Sequence, residues 1–495
     1  MKMNQTLQSR EPKSRERGIA VLVTAIILVI VIPIMGLMFD GTLLFIVKSQ
    51  LQGSVDGAAL AGARSLARGS DSAAQISAAQ LAATNYVTLN YPSNFFFTSN
   101  PAVPTPTVDL SVQYQRTVTV TATVTFPGLF LQYMTGSTSV KAIASTTRRD
   151  VNVVMAVDRS GSLQASGSCA PLKAAAANFV GQFAPGRDQV GLVTFASSTF
   201  KNFPIANTFQ TASPNVAAMI NAIVCQGSTS SAMGLWTAYQ QLAALNQPGA
   251  FNVILFFTDG QPTGVALDMP ISPASGCSQY TAGNPTGADA YTLPGTVSKG
   301  YIRGLYNTYT NQSTFFGLLD PNGVAGSGGY QNVTNGDINL APNSSGCAYA
   351  SSWNSNMTTT TDFPGVPVKD IFGNSANTSY QPVTLNANGL IDINNASNAQ
   401  AMSLNAADSA ATNIRNGVLD AATNKSLANI TIFSIGLGNA AIPASPTFLL
   451  RASNDPLSPI YDSSKPAGKY IYAATTADLQ PAFSEVASEI LRIAK

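Results

Sequence analysis

Residues 151–162 read VNVVMAVDRSGS. The first seven are apolar apart from Asn152, as in a strand buried on both faces. Asp158, Ser160 and Ser162 follow at alternate positions, so three oxygen-bearing side chains turn the same way on the loop after the strand. Alone, this D-x-S-x-S run says little, because Ser/Gly loops also cap helices. The order of the elements downstream gives it weight. Residues 170–183 predict a helix, 188–196 (DQVGLVTFA) a strand and 214–223 another helix. Gly227-Ser228-Thr229 forms a loop ahead of an amphipathic helix with Leu235, Tyr239 and Leu242 on one face, and residues 251–257 (FNVILFF) predict a strand that ends in Thr258-Asp259-Gly260. Strands alternating with helices predict an α/β fold, a doubly wound, mostly parallel sheet with helices on both faces. Ligands of such sheets sit outside the carboxyl ends of the strands, where all three loops lie.

Asp158, Ser160, Ser162, Thr229 and Asp259 are therefore expected to converge. Oxygen donors without nitrogen or sulfur suit a divalent cation, Mg²⁺ first, with Mn²⁺ and Ca²⁺ as alternatives. Three of the five donors are neutral hydroxyls, so a bound dication keeps most of its charge and can attract an external carboxylate. The constellation resembles the metal-ion-dependent adhesion site of von Willebrand factor type A domains, with D-x-S-x-S, a Gly-x-Thr loop and a Thr-Asp-Gly strand end in that order. The resemblance implies a Rossmann-like fold. It further implies direct ligation by Ser160 and Ser162, direct or water-mediated ligation by Thr229 and largely water-mediated roles for Asp158 and Asp259. A protein partner's acidic side chain would complete the shell.

The domain is expected to span residues 149–495 with an interruption. Residues 430–437 (ITIFSIGL) resemble the family's fifth strand, after a helix with Ala411, Ile414 and Val418 at helical spacing. Residues 470–474 predict a short strand. Phe483, Val486, Ala487 and Ile490 form the apolar stripe of a closing helix, with Pro481 tolerated in its first turn. Residues 264–400, rich in Asn, Ser, Thr, Gly and Pro, form an insertion that leaves from the loop bearing Asp259. It is either a folded lid or specificity surface around the site or a disordered tether; Tyr280, Tyr291, Tyr301, Tyr306, Phe315, Phe316, Trp353 and two cysteines favour a folded unit. Of three connectivities open to four cysteines, we expect Cys169 with Cys225, which flank two site loops, and Cys277 with Cys347 inside the insertion.

Near the other end, residues 19–39 (IAVLVTAIILVIVIPIMGLMF) carry no charge. At about 1.5 Å per residue they span roughly 31 Å, the hydrocarbon thickness of a bilayer. A cleaved secretory signal would have a shorter apolar region with an Ala-x-Ala-like site close behind it. Here the first such triplet after the run is Ala59-Leu60-Ala61, so an uncleaved anchor is the better reading. Lys2, Arg10, Lys13, Arg15 and Arg17 precede the run against Glu11 and Glu16, whereas Asp40 and Lys48 follow it. The positive-inside rule then predicts a cytoplasmic tail over 1–17, an anchor over 18–47 and export of the remainder. The exported compartment is oxidising, which admits disulfides.

Residues 48–148 are expected to form a small α+β membrane-proximal region. Leu51, Val55, Ala58, Gly62 and Ser65 recur at helical spacing. Their small side chains either receive a partner helix or belong to a plain alanine-rich stalk. Ser/Pro-rich sequence over 90–107 ends the helix, and strands are expected over 108–115, 117–126 and 139–147. Arg17-Gly18 ahead of the apolar run, and Gln50-Leu51-Gln52-Gly53-Ser54-Val55-Asp56-Gly57-Ala58-Ala59-Leu60-Ala61 after it, resemble the N-terminal segment of TadG-like Flp pilus-assembly proteins. Processed pilins of these systems carry glutamate five residues after the cleavage glycine. Val23 stands there relative to Gly18, which argues against such cleavage.

Composition narrows the function. The 26 basic and 24 acidic residues nearly cancel and only 10% of residues are charged, so no field exists to hold nucleic acid. Histidine is absent, which removes His-based catalysis and histidine-ligated metals. An aspartyl-phosphate phosphatase would need a second acid where Ser160 stands, and no Gly-x-Ser-x-Gly elbow occurs. The expectation is a non-enzymatic binding protein of the bacterial inner membrane, with a cytoplasmic N-terminus and a periplasmic or extracellular C-terminal domain. It would work in Flp/Tad pilus (tight-adherence) machinery alongside other envelope proteins; the alternative is a surface adhesin or matrix-binding protein with no role in pilus assembly.

Overall fold

A computed structural model describes residues 15–66, 71–270, 301–309, 312–317, 365–392, 396–438 and 443–494. Two compact units are present, one built from residues before Arg148 and the other essentially from Arg148 onward.

In the first unit a single helix, α1 (Arg15–Ser65), carries the apolar run and continues beyond it, with Pro33 inside. Its outer half is long and apolar enough to cross a membrane, with a mean hydropathy of 3.0. Its inner half buries Leu51, Val55 and Ala58 against α2 (Ser72–Asn90) and a sheet. The small-residue face thus receives a helix of its own chain: a Cβ at Gly62 would lie 3.2 Å from the Ala79 carbonyl and 3.3 Å from the Ala83 methyl. The sheet comprises β1 (Thr107–Asp109), β2 (Gln115–Phe126) and β3 (Thr138–Arg149) in that order, with a single-turn helix α3 (Gln132–Thr135) between the last two. Val118, Val120, Ala122, Val124 and Phe126 alternate into the core, as the period of two predicts. The strand expected over 108–115 is only three residues long. Asp109 accepts from the Ser111 N–H at 2.8 Å and Tyr114 has φ 63°, so the chain turns where extension was expected.

The second unit is the α/β domain. Its sheet runs β12 (Tyr470–Ala473), β11 (Thr431–Leu437), β7 (Phe251–Thr258), β4 (Val151–Asp158), β5 (Gln189–Phe195) and β6 (Thr199–Ala206). All neighbours are parallel except β5 and β6. The sequence pattern missed β6, an edge strand whose Lys201 and Pro204 disguise the alternation. Side chains of β4 divide by parity. Val151, Val153, Met155 and Val157 pack towards α5 (Cys169–Val180) and the closing α10 (Leu479–Ile493), while Val154 and Ala156 pack towards α7 (Ser231–Leu245) and α8 (Ala396–Asn416). Shorter helices α4 (Gly161–Ala165), α6 (Val216–Asn221) and α9 (Pro446–Ser453) complete the two layers.

Two expectations about these helices are corrected. The helix after Thr229 is buried on almost every side rather than on one face, because α8 covers the side turned away from the sheet. Several of its polar groups find partners inside: Trp236 Nε1 and Gln240 Nε2 donate to Asp420, and the Tyr239 hydroxyl donates to the Val418 carbonyl at 2.6 Å. Val418 is not on α8, which ends at Asn416 before Gly417 with φ 66°, and its side chain is exposed. Ala411 and Ile414 are fully buried on it as expected.

From the insertion, β8 (Gly264–Pro270), β9 (Tyr301–Tyr309) and β10 (Gln312–Gly317) form a separate antiparallel sheet. Val265, Leu267 and Tyr306 are buried in the same core as α7 and α8. The described part of the insertion is therefore folded. Cys277, Cys347, Tyr280, Tyr291 and Trp353 lie outside the described residues, as do residues 1–14 of the basic tail. Cys169 and Cys225 are joined by a disulfide, with their Cα atoms 6.1 Å apart.

Candidate metal centre

The chain leaves β4 towards β5 on one side and later returns to pair β7 on the other. Strand order reverses at β4, so the crevice above the carboxyl ends of β4 and β7 is the topological switch point. Asp158 ends β4 and Asp259 follows β7, which puts both carboxylates at that crevice.

A short hydrogen-bond relay joins four of the five expected residues. Asp158 Oδ1 accepts the Ser160 N–H at 2.7 Å. The hydroxyls of Ser160 and Ser162 are 2.9 Å apart, and Ser162 Oγ donates to Asp259 Oδ1 at 2.7 Å. Thr258, named in sequence only as part of the strand end, closes the circuit by donating its hydroxyl to Asp158 Oδ2 at 2.6 Å. Thr229 is held close by backbone: its carbonyl accepts the Thr263 and Gly264 N–H groups just beyond Asp259, and its N–H donates to Thr263 Oγ1. No hydrogen bond joins the Thr229 hydroxyl to the other four.

The loops are fixed to one another. Gly161 N–H donates to the Gly227 carbonyl at 2.9 Å, Gln226 N–H to the Arg159 carbonyl, and Ser230 N–H to the Ala196 carbonyl at 2.7 Å. Gly227 has φ 99°, and a Cβ there would press on Ser197 and Ala196, so the turn that delivers Thr229 needs glycine.

Electrostatically the site is short of positive charge. Asp158 and Asp259 are fully buried, and no Lys or Arg forms an ion pair with either among the described residues. Burial raises both carboxyls well above the ordinary carboxylate range, and the Asp259 carboxylate raises Asp158 further. Arg159 lies over the Phe200 ring, 4.6 Å from its centroid, and burial lowers its guanidinium to about 10 against the pull of Asp158. Asp259 Oδ2 is buried with no hydrogen-bond partner among the described residues. The hydroxyls of Ser230 and Ser231, beside Thr229, are equally unpartnered. A divalent cation fits these donors, since it would satisfy the orphaned carboxylate oxygen and neutralise the crowded pair. Among the described residues no group of three or more Asp, Glu or Cys could hold a metal, so any cation here depends on the hydroxyls.

Comparison with known proteins agrees with this architecture. Residues 152–280 match the model of the von Willebrand factor type A domain, and residues 18–65 match that of the Flp pilus-assembly TadE/G-like family. No curated protein matches the chain. Among solved structures, the PilB minor pilin from Streptococcus sanguinis is 14% identical over 82% of this chain and 81% of its own, with a TM-score of 0.35. The vWF domain of the type V pili tip protein Mfa5 from Porphyromonas gingivalis is 13% identical over 70% of this chain and 97% of its own, with a TM-score of 0.37. A von Willebrand factor type A protein from Catenulispora acidiphila is 10% identical over 79% of this chain and 50% of its own, at 0.32. These superpositions are distant and carry nothing about function.

Proposed function

We propose that this chain, which joins a TadE/G-like segment to a von Willebrand factor type A domain, is a non-enzymatic, membrane-anchored component of Flp/Tad pilus machinery that grips a protein partner through a divalent cation. Ser160 and Ser162 would hold the ion directly, Thr229 directly or through water, and Asp158 and Asp259 mainly through water. Mg²⁺ suits this hard-oxygen set best. The ion would supply a Lewis-acidic coordination position for an acidic side chain of the partner. On this reading the groups in direct contact with it are neutral hydroxyls, so it keeps an attraction for that carboxylate.

The observation that carries the reading is the orphaned Asp259 Oδ2 at the end of a relay of hydroxyls, in the crevice where ligands of this sheet type bind. The anchor would lie in the bacterial inner membrane with its basic tail in the cytoplasm and both folded units exported. Replacing the chromosomal gene tests the role: deletion abolishes pili on this reading, and the Asp259→Ala allele reproduces the defect at normal protein level. Normal pili with lost attachment would favour a surface adhesin instead.

A further inference from the structure

After β2 ends at Phe126, the segment Pro127-Gly128-Leu129-Phe130-Leu131 returns to α1. The N–H groups of Leu129, Phe130 and Leu131 all donate to the Asp40 carboxylate, at 2.9, 2.8 and 2.6 Å. Asp40 is buried. One turn earlier on α1, a Cβ at Gly36 would fall inside the Phe130 ring, so that ring lies against the glycine. The loop is thus fixed at both its backbone and its aromatic side chain.

What it fixes is unusual for a surface in water. Leu129 is 41% exposed, Phe130 39% and Tyr133 84%. Beside them α1 exposes Met35, Met38 and Phe39, which continue the apolar run of residues 19–39. A loop pinned by three hydrogen bonds so as to display large apolar side chains would be unfavourable against water. Its level along α1 gives the reason. Gly36 lies within the stretch long enough to cross the hydrocarbon and Asp40 just past it, the depth at which tyrosine concentrates in membrane proteins. At that depth unpaired N–H groups are costly, and Asp40 takes three of them.

We propose that residues 128–133 form a foot seated in the lipid bilayer, with Leu129 and Phe130 in the acyl boundary and Tyr133 among the headgroups. The occupant of this apolar surface is lipid, because the surface is continuous with the membrane face of α1. The first unit is then held by the bilayer at two points, its helix and its foot. This inference rests on α1 being a membrane anchor and is independent of the metal centre.

The full chain reconstituted in phosphatidylethanolamine/phosphatidylglycerol vesicles tests it, with nitroxide-labelled lipid as quencher and no other protein present. Tyr133→Trp adds a reporter at the foot. Ile143→Trp adds one at an exposed strand position whose carbonyl accepts from Gln52, about 18 Å further along α1 than Asp40. Wild-type emission from Trp236 and Trp353 is subtracted. The foot predicts that the Tyr133→Trp emission is blue-shifted and loses most of its intensity to the quencher, that Ile143→Trp emission does not, and that adding Asp40→Ala relieves the quenching. Unquenched Tyr133→Trp emission from a chain that resists alkaline washing overturns the foot and leaves the anchor standing. A chain that washes off the vesicles overturns both.

Discussion

Asp158 and Asp259 are brought together from strands a hundred residues apart, and in the metal-free protein each makes the other less comfortable. Removing one charge should then cost nothing while cation is chelated. At pH 8 in chelator, Asp259→Asn is expected to match the wild type or exceed it by about 1 kcal/mol, as measured by denaturant unfolding. A buried carboxylate elsewhere should behave in the opposite way. Asp188 is desolvated, yet Arg187 and Arg148 hold it below its ordinary value of 3.8, at 3.1 and 3.3 Å, with the Ala184 N–H adding a bond at 2.9 Å. A lowered folded-state value means that its stabilisation is complete above the ordinary value and is lost as pH falls through the folded one. Asp188→Asn is expected to cost about 3–5 kcal/mol at pH 7 by taking from the interior the carboxylate that both arginines face, Arg187 keeping only its longer contact with Asp150 at 3.4 Å among its ion pairs with described residues, and the gap from wild type should close as unfolding is followed below pH 4. The candidate site residues were legible because alternate spacing and strand ends are local features. Thr258 as the partner of Asp158, and Arg159 over Phe200, were not, since both depend on which strands become neighbours.

At the scale of elements, the disulfide ties the start of α5 to the segment leading into Gly227, across a separation of 56 residues. Closing a loop of that length is worth about 4 kcal/mol by chain entropy. The double variant Cys169→Ala, Cys225→Ala is expected to lose about that much stability under oxidising conditions, as measured by denaturant unfolding, and reductant should destabilise it by about 4 kcal/mol less than it destabilises the wild type. Alternating strands such as β2, and buried ones such as β4 and β7, were readable from period and composition. The errors share a cause in tertiary context. The helix after Thr229 looked one-faced because α8, which covers its other side, arrives only after the insertion. Val418 fits the helical period but Gly417 stops the helix first, and β6 hides as a short charged edge. The small-residue face of α1 was recognised, but whether its partner was the chain's own α2 could not be read from spacing.

Across the whole molecule, an apolar helix continuous with a small α+β unit precedes an α/β unit with a pair of uncompensated buried carboxylates at its switch point. The lack of histidine, which sequence already made plain, leaves hydroxyls and carboxylates to do the holding. The central claim is that this holding is done through a divalent cation. Thermal unfolding of the detergent-solubilised full chain with and without Mg²⁺ or Mn²⁺, in the wild type and in Asp259→Ala, tests it most directly. At a hundred times the dissociation constant the cation should stabilise the wild type by about 2.7 kcal/mol and leave the variant unmoved. No shift in the wild type, or an equal shift in both, would contradict the account.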